Sequence, residues 1–382
     1  MATSLVDSFQ GKVPFSDAHN GVFLASPRRT GKSTFFQIEL KPALEKEGVV
    51  VVYVDLWADK NIEPGSLIAE AIGQELLRHA NVVAKAVKTT GAKEVSIFGI
   101  KIDPTKIGQH DGATLTQALK TLIELSKKPV ALIVDEAQHS LTTSNGENTM
   151  YALKSARDQI NTPFKTELML VMSGSDRDKL LRLVNSNAAP FLGSDVQHMP
   201  VLEMEFINHA VKEIEKQRPD LKPIKGEVLW EAFKISGNRP QIFISTLGET
   251  LKLENKPYSR FEDLVYAAAI QRRASEETQM KSSYLALKPL EQAIMWRLFE
   301  KGSYFHPYDA DSLLFYKEKT KNKVSSQQVQ NTLDSMRAQN PSLIWKSARG
   351  EYALDDIMMI QWYSQRLKDK EWPPQNSDIE LQ

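Results

Sequence analysis

The sequence contains no cysteine. That excludes disulfide bonds, thiolate nucleophiles and thiolate metal sites, and it fits a reducing cytoplasm. It carries no excess charge either, since 48 Lys and Arg balance 48 Asp and Glu. No global field therefore draws it to nucleic acid or to a membrane, and any such binding has to come from a local patch. No uninterrupted apolar run is long enough to span a bilayer, so no membrane partner is expected. Residues Met1 to Gln10 lack a basic region followed by a long apolar core, which argues against a signal peptide. What is present is a chain of 382 residues of ordinary globular composition, enough for two or three domains.

One stretch organises the rest: Ser26-Pro27-Arg28-Arg29-Thr30-Gly31-Lys32-Ser33-Thr34. It follows the apolar run Gly21 to Ala25 and leads into a helix-like segment, Phe35 to Leu40. Strand, loop and helix form the setting in which a Gly-Lys-Ser string binds phosphate. Residues 27–34 form the expected phosphate cradle, in which the backbone N–H groups of Arg28 to Thr34 point at phosphate oxygens and Pro27, lacking an N–H, shapes the turn. Lys32 would reach the β and γ phosphates of ATP, and the Ser33 hydroxyl would ligate Mg2+. The consensus opens with glycine, whereas this loop opens with Ser26 and has to turn without that freedom.

A second element answers the first. Pro129 to Val134 is an apolar run of strand length that ends in Asp135 and Glu136, as a buried parallel strand would. Asp135 can hold the Mg2+ shell, and Glu136 can polarise the attacking water. Either motif alone is compatible with a plain strand and turn; the two together, in order, point to nucleotide binding. A second buried strand, Val49 to Leu56, carries Trp57 at its carboxyl end, where parallel α/β sheets place ligands, though packing is the better reading of that ring. The alternation in Glu94 to Asp103 predicts a hairpin with Phe98 near its tip. Thr142 to Glu147 reads as a polar loop. A later strand, Glu167 to Ser175, has a polar end where Ser173 or Ser175 could sense the γ-phosphate. Asp176-Arg177-Asp178-Lys179 opens the following helix, which includes Arg182; either arginine could be a finger for a neighbour's nucleotide or part of a solvated helix start.

Beyond Met199 the pattern becomes helical. Ser236-Gly237-Asn238-Arg239-Pro240 sits at the head of a lid helix; Arg239 could reach the phosphates, or Gly and Pro could simply break the helix there. The last third runs helix, helix, helix, then strand, turn and strand: Leu290–Lys301, Asp309–Thr320, Ser325–Gln339, Ser342–Lys346 and Glu351–Leu354. That is the order of a winged helix-turn-helix. Residues 325–350 would offer Gln327, Gln328, Gln330 and Asn331 to a DNA groove, with Lys346 and Arg349 on phosphates. Winged helices also bind proteins. From Trp372-Pro373-Pro374 onward the tail reads as disordered.

The loop with Arg28-Arg29 before Gly31-Lys32-Ser33, the string Asp135-Glu136-Ala137-Gln138, the strand end Ser173-Gly174-Ser175 and the C-terminal winged helix together resemble AAA+ and STAND-related P-loop ATPases. Bacterial and archaeal ATPases with an Asp-Glu-Ala-Gln Walker B motif, and ORC/Cdc6-like initiators, are the types it looks most like. The resemblance implies an α/β fold: a parallel sheet in the order 5-1-4-3-2, a helical lid and a winged helix. It also implies ATP hydrolysis with Mg2+ and nucleotide-dependent assembly, as a homo-oligomer or with a partner protein. The domain plan that follows is an ATPase core over 1–200, a lid over 201–280, a winged helix over 281–364 and a disordered tail over 365–382. Ser26 in place of glycine, and Gly-Asn-Arg-Pro in place of the Gly-x-Pro-Arg order of several sensor 2 motifs, are its two departures. Three functions compete: an ATP-driven switch or motor on DNA, a signalling or scaffold NTPase, and a metabolic nucleotide kinase. The long C-terminal extension argues against the last.

Overall fold

The computed structural model describes residues 1–26, 29–59, 61–86, 95–97, 100–103, 106–109, 112–162, 165–175, 177–185, 189–252, 260–339, 343–348, 351–354 and 358–375. The chain divides into two compact units. The first takes Met1–Pro27, Lys32–Met199 and Lys346–Glu351; the second takes Arg28–Gly31, Pro200–Trp345 and Tyr352–Gln382.

The first unit opens with α1 (Ala2–Phe9) and β1 (Val22–Ala25). A continuous helical run follows: α2 (Lys32–Thr34), a π-helical stretch (Phe35–Leu40) and α3 (Lys41–Lys46). Next come β2 (Val50–Asp55), α4 (Pro64–Ala86), the antiparallel pair β3 (Val95–Ile97) and β4 (Ile100–Ile102), α5 (Leu115–Ser126) and β5 (Val130–Asp135). The expected hairpin is thus present, while its tip at Phe98 lies outside the described residues. A 3-10 turn (Ala137–Thr142), α6 (Ser144–Ile160), β6 (Leu168–Gly174), α7 (Arg177–Leu181) and β7 (Val196–His198) complete the unit.

Five strands form one parallel sheet in the order β2-β5-β6-β1-β7. Counted along the chain within that sheet, the order is the expected 5-1-4-3-2. Near-continuous runs of Val, Ile, Leu and Met allow both faces to be covered. Val22, Leu24, Val51, Ala131, Ile133 and Val171 pack on one side against α1 and the π-helical stretch. Phe23, Val52, Val54, Leu132, Val134 and Met172 pack on the other side with residues of α4, α5 and α6. The polar segment read as a loop at 142–147 is helical from Ser144, because Thr143 caps it by accepting from the Gly146 N–H.

The second unit begins with α8 (Met204–Gln217), α9 (Gly226–Ile235), α10 (Pro240–Leu251) and α11 (Phe261–Leu285) around a core of Ile207, Leu229, Phe233, Phe243 and Val265. Then come α12 (Pro289–Lys301), α13 (Ala310–Thr320) and α14 (Ser326–Ala338). Ser325 caps α14 in a reciprocal box with Gln328. β8 (Ile344–Ala348) pairs with β9 (Glu351–Leu354), and α15 (Met358–Lys368) closes the element order. Three helices and a hairpin therefore follow one another as a winged helix does. The tail needs correcting. Residues 365–368 finish α15, and Trp372 packs among Tyr284, Trp296, Phe299, Trp362 and Tyr363, with ring centroids 4.8–5.7 Å from its own. Burial of so many aromatic faces outweighs the two prolines that follow. Residues 376–382 lie outside the described set. Among the described residues, no helix is long and apolar enough to cross a membrane.

Candidate active site

The loop after β1 solves its missing glycine by moving the turn. Ser26 is buried and stays in the ladder, its N–H donating to the Gly174 carbonyl at 3.0 Å. The left-handed positions fall later, at Arg29 (φ 65°) and Gly31 (φ 94°). Gly31 is the residue type that takes such a φ without a Cβ clash. α2 then starts at Lys32, so the lysine lies in the first turn with its N–H unclaimed by the helix.

Lys32 is 5% exposed, and its ammonium sits between two carboxylates. Nζ is 2.5 Å from Glu136 Oε1 and 3.1 Å from Asp135 Oδ1. Ser33 Oγ donates to Asp135 Oδ2 at 2.6 Å, and Ser173 Oγ donates to Oδ1 at 2.5 Å. The sequence-predicted Lys32, Ser33, Asp135, Glu136 and Ser173 therefore meet at one point, at the carboxyl ends of β5 and β6. Glu136 adopts a left-handed backbone (φ 56°, ψ 42°), the turn that swings its side chain towards Lys32 straight after the strand.

Glu136 is gripped on its other oxygen. Oε2 accepts from Gln138 Nε2 at 2.6 Å and from Ser175 Oγ at 2.8 Å. Gln138 is fully buried, and its Oε1 has no partner among the described residues. That oxygen lies against Gly174, where a Cβ would sit 2.5 Å from it, so the strand end admits no larger residue without moving the amide.

Burial pushes the Asp135 carboxyl up, but the Lys32 ammonium and the bonds from Ser173, Ser33 and Lys32 outweigh it and hold its pKa below the ordinary value. Glu136 is likewise held down: Lys32's charge and hydrogen bond, with Ser175, overcome burial and the neighbouring Asp135. Asp55 moves the other way. It faces Asp135 across the β2–β5 register, and burial together with the charges of Asp135 and Glu136 raises its pKa, against the Trp57 N–H and Lys32. Beside it, Tyr53 donates from its hydroxyl to Asp135 Oδ2 at 3.1 Å. Burial and that carboxylate push the Tyr53 pKa far above its usual range, so it remains a protonated donor.

Three carboxylates around one ammonium leave a surplus of negative charge, and Ser33 and Asp135 offer hard oxygens side by side. That donor set fits Mg2+, which binds through one or two protein oxygens together with substrate phosphates. Among the described residues no group of three or more His, Cys, Asp and Glu could hold a metal ion by itself. The strand order, the loop after β1 and the acidic pair at the end of β5 are those of a P-loop nucleotide-binding fold.

Solved structures that overlay on the chain include the Aeropyrum pernix ORC2 protein in its ADP form, at 15% identity over 92% of this chain and 88% of that one, with a TM-score of 0.48. The Aeropyrum pernix ORC1 protein in complex with DNA matches at 14% identity over 97% and 91%, with a TM-score of 0.43. AMPPCP-bound DnaA from Aquifex aeolicus matches at 13% identity over 97% and 93%, with a TM-score of 0.38. No protein-family model matches the sequence, and no curated protein matches it.

The remaining expected residues are dispersed. Pro27 and Arg28 lie outside the described residues, Arg29 is exposed, Thr30 is half-buried and Thr34 is exposed. Arg177 starts α7, and its side chain is not among those described. Arg239 is buried in the second unit, donating from Nε to the Ser236 carbonyl at 2.7 Å and from Nη2 to Glu276 at 2.6 Å. Trp57 packs edge-on to His139, with centroids 5.7 Å apart. Tyr53, Asp55 and the grip of Gln138 on Glu136 were not foreseen. The only signal for the first two was their place at the carboxyl end of a buried strand.

Proposed function

We propose that the chain binds and hydrolyses ATP with Mg2+ and uses that cycle as a switch or motor. The observation that carries the reading is the meeting of Lys32 and Ser33 with Asp135 and Glu136. When bound, ATP and its Mg2+ supply a phosphoanhydride and a cation to draw charge from it. Lys32 presents its ammonium to the phosphates, with the N–H groups of the loop and of α2 around it. Ser33 Oγ and the Asp135 carboxylate would supply the protein's oxygens to the metal. Glu136 takes a proton from water at Oε1, the oxygen that Lys32 engages in this structure, while Gln138 and Ser175 keep Oε2 in place. The base is thus released only when Lys32 has another partner. Ser173 stays on Asp135, and Arg177 and Arg239 are the candidates for further phosphate contact.

The chain is proposed to act on DNA, or on a DNA-bound partner, through residues 325–350, with the core at 1–200, the lid at 201–280 and the winged helix at 281–364. Gln327, Gln328 and Asn331 are exposed on α14, which supports a groove-reading role. A signalling or scaffold NTPase, whose winged helix binds protein, has its own support: the charged pair on α14 is Asp334 with Arg337, 3.3 Å apart, so the helix presents little net charge. Duplex DNA titrated at several salt concentrations separates the two. The DNA reading expects affinity to fall steeply with salt and to weaken in Lys346→Ala/Arg349→Ala. Salt-insensitive or absent binding leaves the protein-contact reading. A wild-type chain that does not bind ATP with Mg2+ defeats both.

A further inference from the structure

We propose that Tyr53 is a positioning residue for Asp135, orienting the carboxylate that the reading above assigns to the metal; it rests on that reading. The sheet order puts β5 between β2 and β6. Asp135 stands at the end of β5, and a hydroxyl from each flanking strand holds one of its oxygens: Tyr53 OH on Oδ2 at 3.1 Å and Ser173 Oγ on Oδ1 at 2.5 Å. Of the other donors, Lys32 and Ser33 come from the phosphate loop, and the Glu136 N–H reaches Oδ1 at 3.0 Å. Both loop groups have further work once phosphates and a cation are bound. The strand-borne hydroxyls do not, so they set the plane of the carboxylate whatever the loop is doing.

Two features make Tyr53 more than a packing residue. It is the one side chain in the run Val49 to Val54 with a polar tip, and that tip reaches the end of the neighbouring strand. Gln37, on the π-helical stretch, lines the same cleft as Tyr53 and is a polar neighbour on the side of the sheet that the phenol faces. π-Helical turns inside α-helices occur frequently at functional sites. A hydrogen bond to a charged acceptor has the strength to bias such an orientation.

Tyr53→Phe keeps the ring and removes only the donor. Binding of a fluorescent ATP analogue is titrated with Mg2+, and repeated in EDTA, with thermal unfolding measured in parallel. The Mg2+ concentration for half-saturation is expected to rise about tenfold, with affinity in EDTA and the melting temperature unchanged. Gln37→Ala, at an exposed position, should move the Mg2+ requirement the same way by less. A Tyr53 that merely packs would move melting temperature and EDTA affinity together. If wild type needs Mg2+ and neither variant shifts the requirement, the role of Tyr53 is refuted while the metal site stands. Wild-type binding that ignores Mg2+ overturns the metal assignment and Tyr53 with it.

Discussion

Lys32 Nζ lies 2.5 Å from Glu136 Oε1, although the residues are 104 positions apart in the chain. The contact joins the first turn of the helix after β1 to the left-handed residue after β5, and the parallel sheet is what brings those two ends together. Both side chains are nearly dry, so the pair couples stability to chemistry. Whatever draws the lysine away exposes a buried carboxylate that then has to find a proton or a solvent partner.

Lys32→Ala is expected to abolish nucleotide binding and also to destabilise the ligand-free protein at neutral pH. Breaking a buried pair by removing one partner costs about 3–5 kcal/mol. The pH dependence carries a sign. In the wild type, Asp135 and Glu136 have lowered pKa values, so their contribution is present above the ordinary carboxylate range and is lost as pH falls through the folded values. Without Lys32, burial dominates and the sign reverses. Thermal unfolding should therefore show the gap between wild type and variant narrowing as pH drops below about 4.

Glu136→Gln should retain nucleotide binding and stall turnover. Losing a positioned general base lowers the rate by about 10²–10⁴-fold. Gln138 and Ser175 donate to the Oε2 position, where the glutamine can place its carbonyl oxygen. Asp135 still pairs with Lys32 once the amide NH2 displaces the ammonium from the Oε1 position, so the fold is expected to hold at some cost in stability. Steady-state hydrolysis at the parental rate would show that Glu136 does not activate the water.

Much of this site was legible because its parts are local strings whose chemistry depends on short-range spacing. Gly31-Lys32-Ser33 and Asp135-Glu136 each lie within a few residues of a strand end, and apolar runs mark those strands. Tyr53 and Asp55 were not legible, because their neighbours are set by the pairing of Tyr53 with Ile133 and of Asp55 with Asp135, which no local pattern contains. Helix α11 was missed for another reason: Gln271 to Gln279 is polar and charged and offers no apolar period to read. Trp372 was misjudged because a proline pair ends local structure without saying what the preceding ring touches.

Asp55→Asn is expected to raise the melting temperature at neutral pH. Asp55 has a raised pKa, so its ionised form is disfavoured in the fold, and the cost is present above its folded pKa and disappears below the unfolded one. Asparagine keeps an oxygen for the Trp57 N–H, which the carboxylate holds at 2.8 Å. Since the group is partly solvated, the gain should be under about 1 kcal/mol. Unfolding curves of the two proteins should converge as pH falls through the carboxylate range. A variant less stable than wild type at pH 7 would mean that Asp55 is favoured as an anion.

Arg239 poses a question that one substitution cannot answer. Its guanidinium is spent within its own unit, on the Ser236 carbonyl and on Glu276, so Arg239→Ala should cost about 2 kcal/mol of stability whether or not it ever meets a phosphate. A double-mutant cycle with Glu276→Ala isolates the pair. The two single variants should lose stability by similar amounts, with strong coupling between them. Nucleotide affinity then decides the role. An arginine that also contacts phosphate predicts weaker ATP binding in Arg239→Ala and unchanged or tighter binding in Glu276→Ala, where the guanidinium is released. An arginine that only braces α10 against α11 predicts the same affinity in both, because each variant loses the same brace. Calorimetric titration of the two variants separates these outcomes, since only the first gives affinities that move apart.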